Sequence, residues 1–330
     1  MWIRIAENEF FKIRRQRREQ KGFGGKCVRM SDLIRLQVTI FSLIACGALL
    51  KKIKIIGKEG QKNITDLVIY VVLPCNIVNS FLIEFDETIL RDCLAILLIS
   101  VGIQIAAVFY GKMIARGQNP DRQTSLRYAI ISSNAGFLGN PIAEGLFGGM
   151  GLMLASVFLI PQRVMMWSEG IAIYSGVKDF KQVGKKVAMH PCVLACVTGL
   201  ILMIGKVQVP EIILSPIQTL GKCNTALSML VIGMILGDMD LKKLFDKTVM
   251  WFTLHRLIII PAIVWGVCLL LPVSHLVTGV SVILSAMPAA ATTGMLASKY
   301  DRDPEFATVL IIFSTLCSIL TTFVWSILVV

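Results

Sequence analysis

The chain has 330 residues, 55% of them hydrophobic, and a mean hydropathy of +0.73, values that exclude a soluble fold of ordinary composition. Its formal charge of +12 is concentrated in the tail and in short connections between apolar runs, so the composition describes an integral membrane protein. Nine cysteines and three histidines occur without a CxxC pair, and no phosphate loop, GxSxG or HExxH is present; metal-centred, nucleotide-driven and hydrolytic chemistry have no sequence support, and no enzyme activity or cofactor is expected.

Residues 1–29 carry nine basic and three acidic residues, half of the net charge, including Arg14-Arg15-Gln16-Arg17-Arg18. They lack the apolar core of a signal peptide. Two readings stay open for residues 1–30: a start placed too early, with Met30 as the true initiator, or a basic arm that binds anionic lipid or nucleic acid. We favour Met30, so nucleic acid is not an expected partner.

A helix crosses the hydrocarbon core with about 20 apolar residues. Ten such runs follow, at 33–50, 64–81, 90–110, 128–147, 152–174, 187–204, 212–236, 249–271, 277–297 and 306–329. The connections are short and leave no room for a soluble domain. Alternate connections hold the basic residues: Lys51, Lys52, Lys54, Lys58 and Lys62; Lys112, Arg116, Arg122 and Arg127; Lys178, Lys181, Lys185 and Lys186; Lys242, Lys243 and Lys247; Lys299 and Arg302. The opposite side offers Arg91 and Lys206. The positive-inside rule places the first set in the cytoplasm and both termini outside. A basic tail would then need translocation, which is the reason for preferring Met30.

The fourth and ninth runs are interrupted. Ser132-Ser133-Asn134-Ala135-Gly136-Phe137-Leu138-Gly139-Asn140-Pro141 breaks one, and Ser285-Ala286-Met287-Pro288-Ala289-Ala290-Ala291-Thr292-Thr293-Gly294 breaks the other. Lipid cannot satisfy the N–H and C=O groups that such breaks free, so irregular backbone at membrane depth survives only beside protein or a water-lined cavity. Pro141 and Pro288 are 147 positions apart, and Cys75-Asn76 recurs as Cys223-Asn224 after 148. The shared offset suggests two five-helix repeats, at 31–176 and 177–330. An odd number of crossings inverts the second repeat, the construction of many secondary transporters, with the site at the midplane between discontinuous helices. The expected fold is an all-α membrane protein with broken, crossing helices 4 and 9.

At these residues the chain resembles the auxin efflux carrier family, whose bacterial members are permeases for organic acids. The matching stretches are Val71-Val72-Leu73-Pro74, Ser133 through Pro141, Ser285-Ala286-Met287-Pro288-Ala289-Ala290 and Ser314-Thr315-Leu316-Cys317-Ser318-Ile319. The resemblance runs from about residue 31 to the C-terminus. It implies a scaffold of helices 1, 2, 6 and 7, a transport domain of helices 3–5 and 8–10 that moves like an elevator, a carboxylate substrate, and a homodimer joined through the scaffold. Ala226 and Thr322 stand where the family pattern has prolines.

Candidate substrate contacts are Asn134, Gly136 and Asn140 around the first break, and Ser285, Thr292 and Thr293 around the second. Amides and hydroxyls there either line a cavity or satisfy their own broken helix. Gly139, Pro141 and Pro288 cause the breaks. Ionisable residues at membrane depth default to a functional hypothesis: Arg163, beside Gln162, and Lys222 are candidate counter-charges for an anion, and Glu144 and Glu169 candidate coupling groups. Pairing of Arg163 with either glutamate or with backbone carbonyls is the competing reading. Arg256 and His255 read as interfacial anchors, and Cys192, Cys196 and His190 as packed side chains rather than a metal site.

The expected activity is secondary transport of a small organic anion, a mono- or dicarboxylate, across the cytoplasmic membrane by alternating access, with the lipid bilayer as the protein's other partner. The alternatives are a sodium- or proton-coupled exchanger or symporter of similar fold and a membrane sensor that binds a ligand without moving it.

Overall fold

The computed structural model describes residues 30–82, 87–175, 188–237 and 246–330. The basic tail, and Lys178, Lys181, Lys185, Lys186, Lys242 and Lys243 of the charge pattern, lie outside the described residues. Among the described residues the fold is all-helical, and no strand forms beyond one isolated backbone bridge.

In chain order the helices are α1 (Met30–Lys52), α2 (Lys58–Phe81), α3 (Glu87–Ile114), α4 (Pro120–Ile131), α5 (Asn140–Trp167) and α6 (Glu169–Ser175). They continue with α7 (Pro191–Ile204), α8 (Glu211–Gly237), α9 (Lys247–Leu270), α10 (His275–Ser285), α11 (Thr292–Lys299) and α12 (Pro304–Val329). Six helices among the described residues are long and apolar enough to cross a membrane. With the family identity reached below, they make this a multi-pass membrane protein.

Local chemistry sets the helix ends. Asn119 caps α4 by accepting from Arg122 N–H, with Pro120 in the first turn. Ser274 caps α10 through Val277 N–H, and Asp303 caps α12 through Phe306 N–H ahead of Pro304. Polar side chains at these positions take up donors that have no partner within the helix, and proline has no donor to lose there. Gly148, at φ 66° and ψ −156°, turns the chain inside α5 and splits it into two arms; a side chain would be strained in that conformation.

Packing sorts the helices into two groups. Helices α1, α2, α7 and α8 pack on one another, and α3 to α5 pack with α9 to α12. Small residues allow the closest approach in the first group: a Cβ on Gly47 would lie 2.2 Å from Leu230 O, and one on Gly233 2.0 Å from Ile44 O. In lipid, where apolar surface gains nothing by leaving the solvent, such backbone contact is what holds helices together. The largest buried cluster joins the groups, running from Ile40 and Ile77 through Leu138 and Ile142 to Val280 and Leu284.

Candidate functional site

The two interruptions predicted from sequence lie against each other. Asn134 N–H donates to Pro288 O at 2.8 Å and Ala290 N–H donates to Ser132 O at 3.2 Å, pairing Ser133 with Ala289 in antiparallel fashion. Each break thus satisfies backbone groups the other has freed, which answers the cost that lipid imposes on unpaired peptides. Neighbouring side chains complete the pairing. Gln162 Nε2 donates to Ser133 O at 2.8 Å while its Oε1 accepts from Ser133 Oγ at 3.1 Å. Ser314 Oγ accepts from Ala289 N–H at 3.2 Å.

Arg256 corrects the sequence reading. It is not at the interface: it is 5% exposed, and its guanidinium donates to Met287 O at 2.8 Å and to Ile130 O at 3.1 Å. Both carbonyls sit at C-terminal ends of half-helices, α10 and α4, where the helix dipole places negative partial charge. The signal for it was available, since Arg256 stands nine residues into α9, about 14 Å along the axis, where the rule applied to Arg163 holds equally.

A second polar arrangement runs along the first arm of α5, with Arg163 approaching it from the second arm. Arg163 is 7% exposed, a Cβ on Gly136 would lie 4.0 Å from its Nη2, and its Nη1 has no hydrogen-bond partner among the described residues. Asn140 follows Gly136 by four residues and is fully buried, with neither its Oδ1 nor its Nδ2 partnered. Glu144, a further turn along, accepts at Oε2 from Asn76 Nδ2 of α2 at 2.9 Å. Asn76 is in turn pressed against α8, where a Cβ on Gly221 would lie 3.3 Å from its Oδ1. Asn224, the residue equivalent to Asn76 by the 148-position offset, is buried in α8 and accepts from Ser228 Oγ at 3.3 Å.

Other predicted residues distribute around these two centres. The Asn134 side chain is half-buried at the break. Gly139 lets α5 approach α10, since a Cβ there would lie 2.6 Å from Leu284 Cδ2. Pro141 opens α5, and Pro288 contributes its carbonyl to the pairing. Ser285 bonds back to Val282 O. Thr292 accepts from Tyr128 Oη at 3.0 Å; Thr293 is buried, its carbonyl accepting from Tyr174 Oη at 3.2 Å. Two candidates lie elsewhere. Lys222 is exposed on α8, and Glu169 faces Arg127 at 3.9 Å rather than Arg163.

Behind the paired breaks, a cavity of about 860 Å³ opens between α3 and α9. Apolar side chains such as Leu98, Ile103, Ile263 and Val267 form its walls, and Gln104, Gln162, Arg256 and Ser285 its polar lining.

Apolar spans and buried, mutually paired helix breaks define a multi-pass membrane protein of transporter type. The profile of the membrane transport protein family matches residues 33–183 and again 177–326, and the chain belongs to this family, the auxin efflux carrier family that its motifs resemble. It is similar to an uncharacterized transporter of Methanocaldococcus jannaschii, 26% identical over 306 residues that cover 87% of this chain and 95% of the relative. An uncharacterized transporter of Methanothermobacter thermautotrophicus is likewise 26% identical over 296 residues, covering 88% and 96%.

Proposed function

We propose that the protein is a secondary transporter that moves a small organic anion, a mono- or dicarboxylate, across the cytoplasmic membrane. The observation that carries this reading is the Arg163 guanidinium, buried beside the first break with Nη1 unpartnered and in no ion pair among the described residues. A cation at membrane depth is costly by about 3 kcal/mol on insertion scales, and an anionic guest would offset that cost. Asn134, Gly136, Asn140 and Gln162 border the same region; Ser285, Thr292 and Thr293 belong to the other break, and Lys222 is the least supported contact.

The architecture in this proposal has ten crossings in two inverted repeats, at 31–176 and 177–330. The kink at Gly148, the pairing of the two breaks and the doubled family match support it. The group α1, α2, α7 and α8 then acts as a scaffold and the group containing both breaks as the moving body of an elevator, a reading supported by each group packing mainly within itself. The bilayer surrounds both, a second copy joins through the scaffold, and both termini face outward.

Purified protein screened against organic carboxylates by thermal shift, followed by counterflow in proteoliposomes, tests the proposal. The expected result is saturable stabilisation by at least one carboxylate and exchange of that compound. Binding without flux would replace the carrier with a sensor, and neither binding nor flux across mono- and dicarboxylates would overturn the anion reading.

A further inference from the structure

Helix α3 rests on α4, α5 and α10, and α9 on α10 and α12; the cavity of about 860 Å³ occupies the interval between α3 and α9. Hydrogen bonds close it at both ends. Ser274 Oγ donates to Asp92 Oδ2 at 2.9 Å, and Tyr110 Oη meets His255 Nδ1 at 2.5 Å. Asp92 and Tyr110 are 18 positions apart on α3, about 27 Å of helix, close to the roughly 30 Å of a bilayer's hydrocarbon core. The rims of this slot are apolar and exposed, Leu98 and Phe109 on one side and Ile263 and Val267 on the other, while Phe158 and Leu284 lie buried on its floor. Most polar groups beside it are spent elsewhere: Gln162 on Ser133, Ser285 on Val282 O, Arg256 on Met287 O and Ile130 O. Gln104 is buried, its Oε1 without a partner among the described residues. Water needs two to four polar partners to settle in a cavity, so hydrocarbon is the filling that these walls suit.

We infer that the slot between α3 and α9 holds an acyl chain of an anionic phospholipid whose phosphate pairs with Arg91. Ala95, Leu98, Gly102, Ala106, Phe109 and Met113 line the slot from α3, and their spacing of three and four residues marks one face of the helix. Arg91, four residues ahead of Ala95, continues that face beyond the apolar wall. It is exposed and forms no ion pair among the described residues. The positive-inside rule accounts for the cations of the other side but gives no reason for this one, which shares its side with Lys206. A guanidinium matches a phosphate with two parallel hydrogen bonds, and a chain hanging from that phosphate enters the slot directly. Seated there, it covers Gln162 and Arg256 from the lipid side and keeps water from the backbone pairing that they hold. The lipid site stands apart from the carrier reading and needs no transport.

Thermal unfolding of the purified full chain, stripped of lipid in a neutral detergent and titrated with phosphatidylglycerol or with phosphatidylcholine of the same acyl chains, tests the site. Phosphatidylglycerol is expected to raise the Tm saturably and to bind about tenfold tighter than phosphatidylcholine, the worth of one hydrogen bond between charged groups. Arg91→Gln should erase that difference and keep a response to both lipids. A Cβ on Gly102 meets nothing within 4 Å, so Gly102→Trp places its indole in the slot and should weaken both lipids about tenfold or more, as overfilling does. Gly266→Trp is the matched control: Gly266 of α9 is equally open but lies outside the slot lining, and its variant should bind like the wild type. Arg91 is exposed, so the Arg91→Gln comparison decides the matter if Gly102→Trp does not fold. Equal affinity of the wild type for the two lipids, a Gly102→Trp protein that binds as tightly as Gly266→Trp, or no response to lipid at all overturns the inference.

Discussion

Arg256 Nε donates to Met287 O across 2.8 Å, and through Nη1 the same guanidinium reaches Ile130 O at 3.1 Å. One side chain of α9 thereby ties together the C-terminal ends of both broken helices. Arg256→Ala leaves both carbonyls without this donor, at about 1–3 kcal/mol for each group that stays unsatisfied. The expected outcome is a large fall in detergent Tm and in yield. Arg256→Lys should fall between, because a single ammonium lacks the planar fork that spans two acceptors. A Tm unchanged in Arg256→Ala would show that the tie contributes nothing.

Arg163 should behave in the opposite way. Its Nη1 has no partner, so removal of the side chain takes away a buried charge together with few bonds. Arg163→Ala is expected to keep or raise the Tm while abolishing stabilisation by, and flux of, an anionic substrate. Unchanged transport in Arg163→Ala would remove this residue from the site. A neutral amide at the break is the milder case: Asn134→Ala should weaken carboxylate binding about tenfold, the worth of one hydrogen bond to a charged group, and unaltered affinity would leave it a backbone role.

The breaks themselves were legible in the sequence, because proline and glycine clusters inside apolar runs have few physical explanations. That the two breaks meet was suggested by the repeat offset, but an offset compares positions rather than contacts and did not hold the backbone pairing of Ser133 with Ala289. What the sequence did not reveal was which charged side chain serves which purpose. Arg163 and Arg256 both stand deep in apolar runs, and one ends on two carbonyls while the other ends on none. That difference depends on the rotation of each helix about its axis, which an almost uniformly apolar run does not encode. The same limit explains Gln162, a predicted contact that holds Ser133 on both its polar atoms, and Glu144, whose partner Asn76 lies 68 positions away.

Close backbone contact between α1 and α8 gives a paired test. At Gly233 a Cβ would lie 2.0 Å from Ile44 O, a backbone atom that cannot swing aside. Gly233→Ala must separate the helices and is expected to cost about 1–3 kcal/mol or more, as overpacking does. Gly102, exposed within α3, meets nothing within 4 Å. Gly102→Ala should therefore stabilise by about 0.5–1 kcal/mol, the difference in helix propensity. Thermal unfolding of the two variants side by side separates contact from propensity; equal effects would contradict the packing described for α1 and α8.

Asp246 lies ahead of α9, outside the apolar span, and caps the helix through Thr248 N–H at 2.7 Å while pairing with Arg122 Nη1 at 2.9 Å. Burial pushes its carboxyl up, but the Thr248 amide and the Arg122 guanidinium outweigh burial and hold it below the ordinary value of 3.8. A carboxyl with a depressed folded value binds its proton more weakly in the folded chain than in the unfolded one. Its contribution to stability is accordingly complete above about pH 4, the unfolded value for an aspartate. It is lost as pH falls from there through the lower folded value. Asp246→Asn keeps a good capping side chain and removes only the charge. It should flatten the acid limb of the Tm–pH curve and leave the plateau near neutrality only slightly lower, since both partners are part-exposed and such pairs are weak. Added salt should shrink the difference between wild type and variant. An acid limb identical in the two proteins would show that Asp246 does not govern stability in that range.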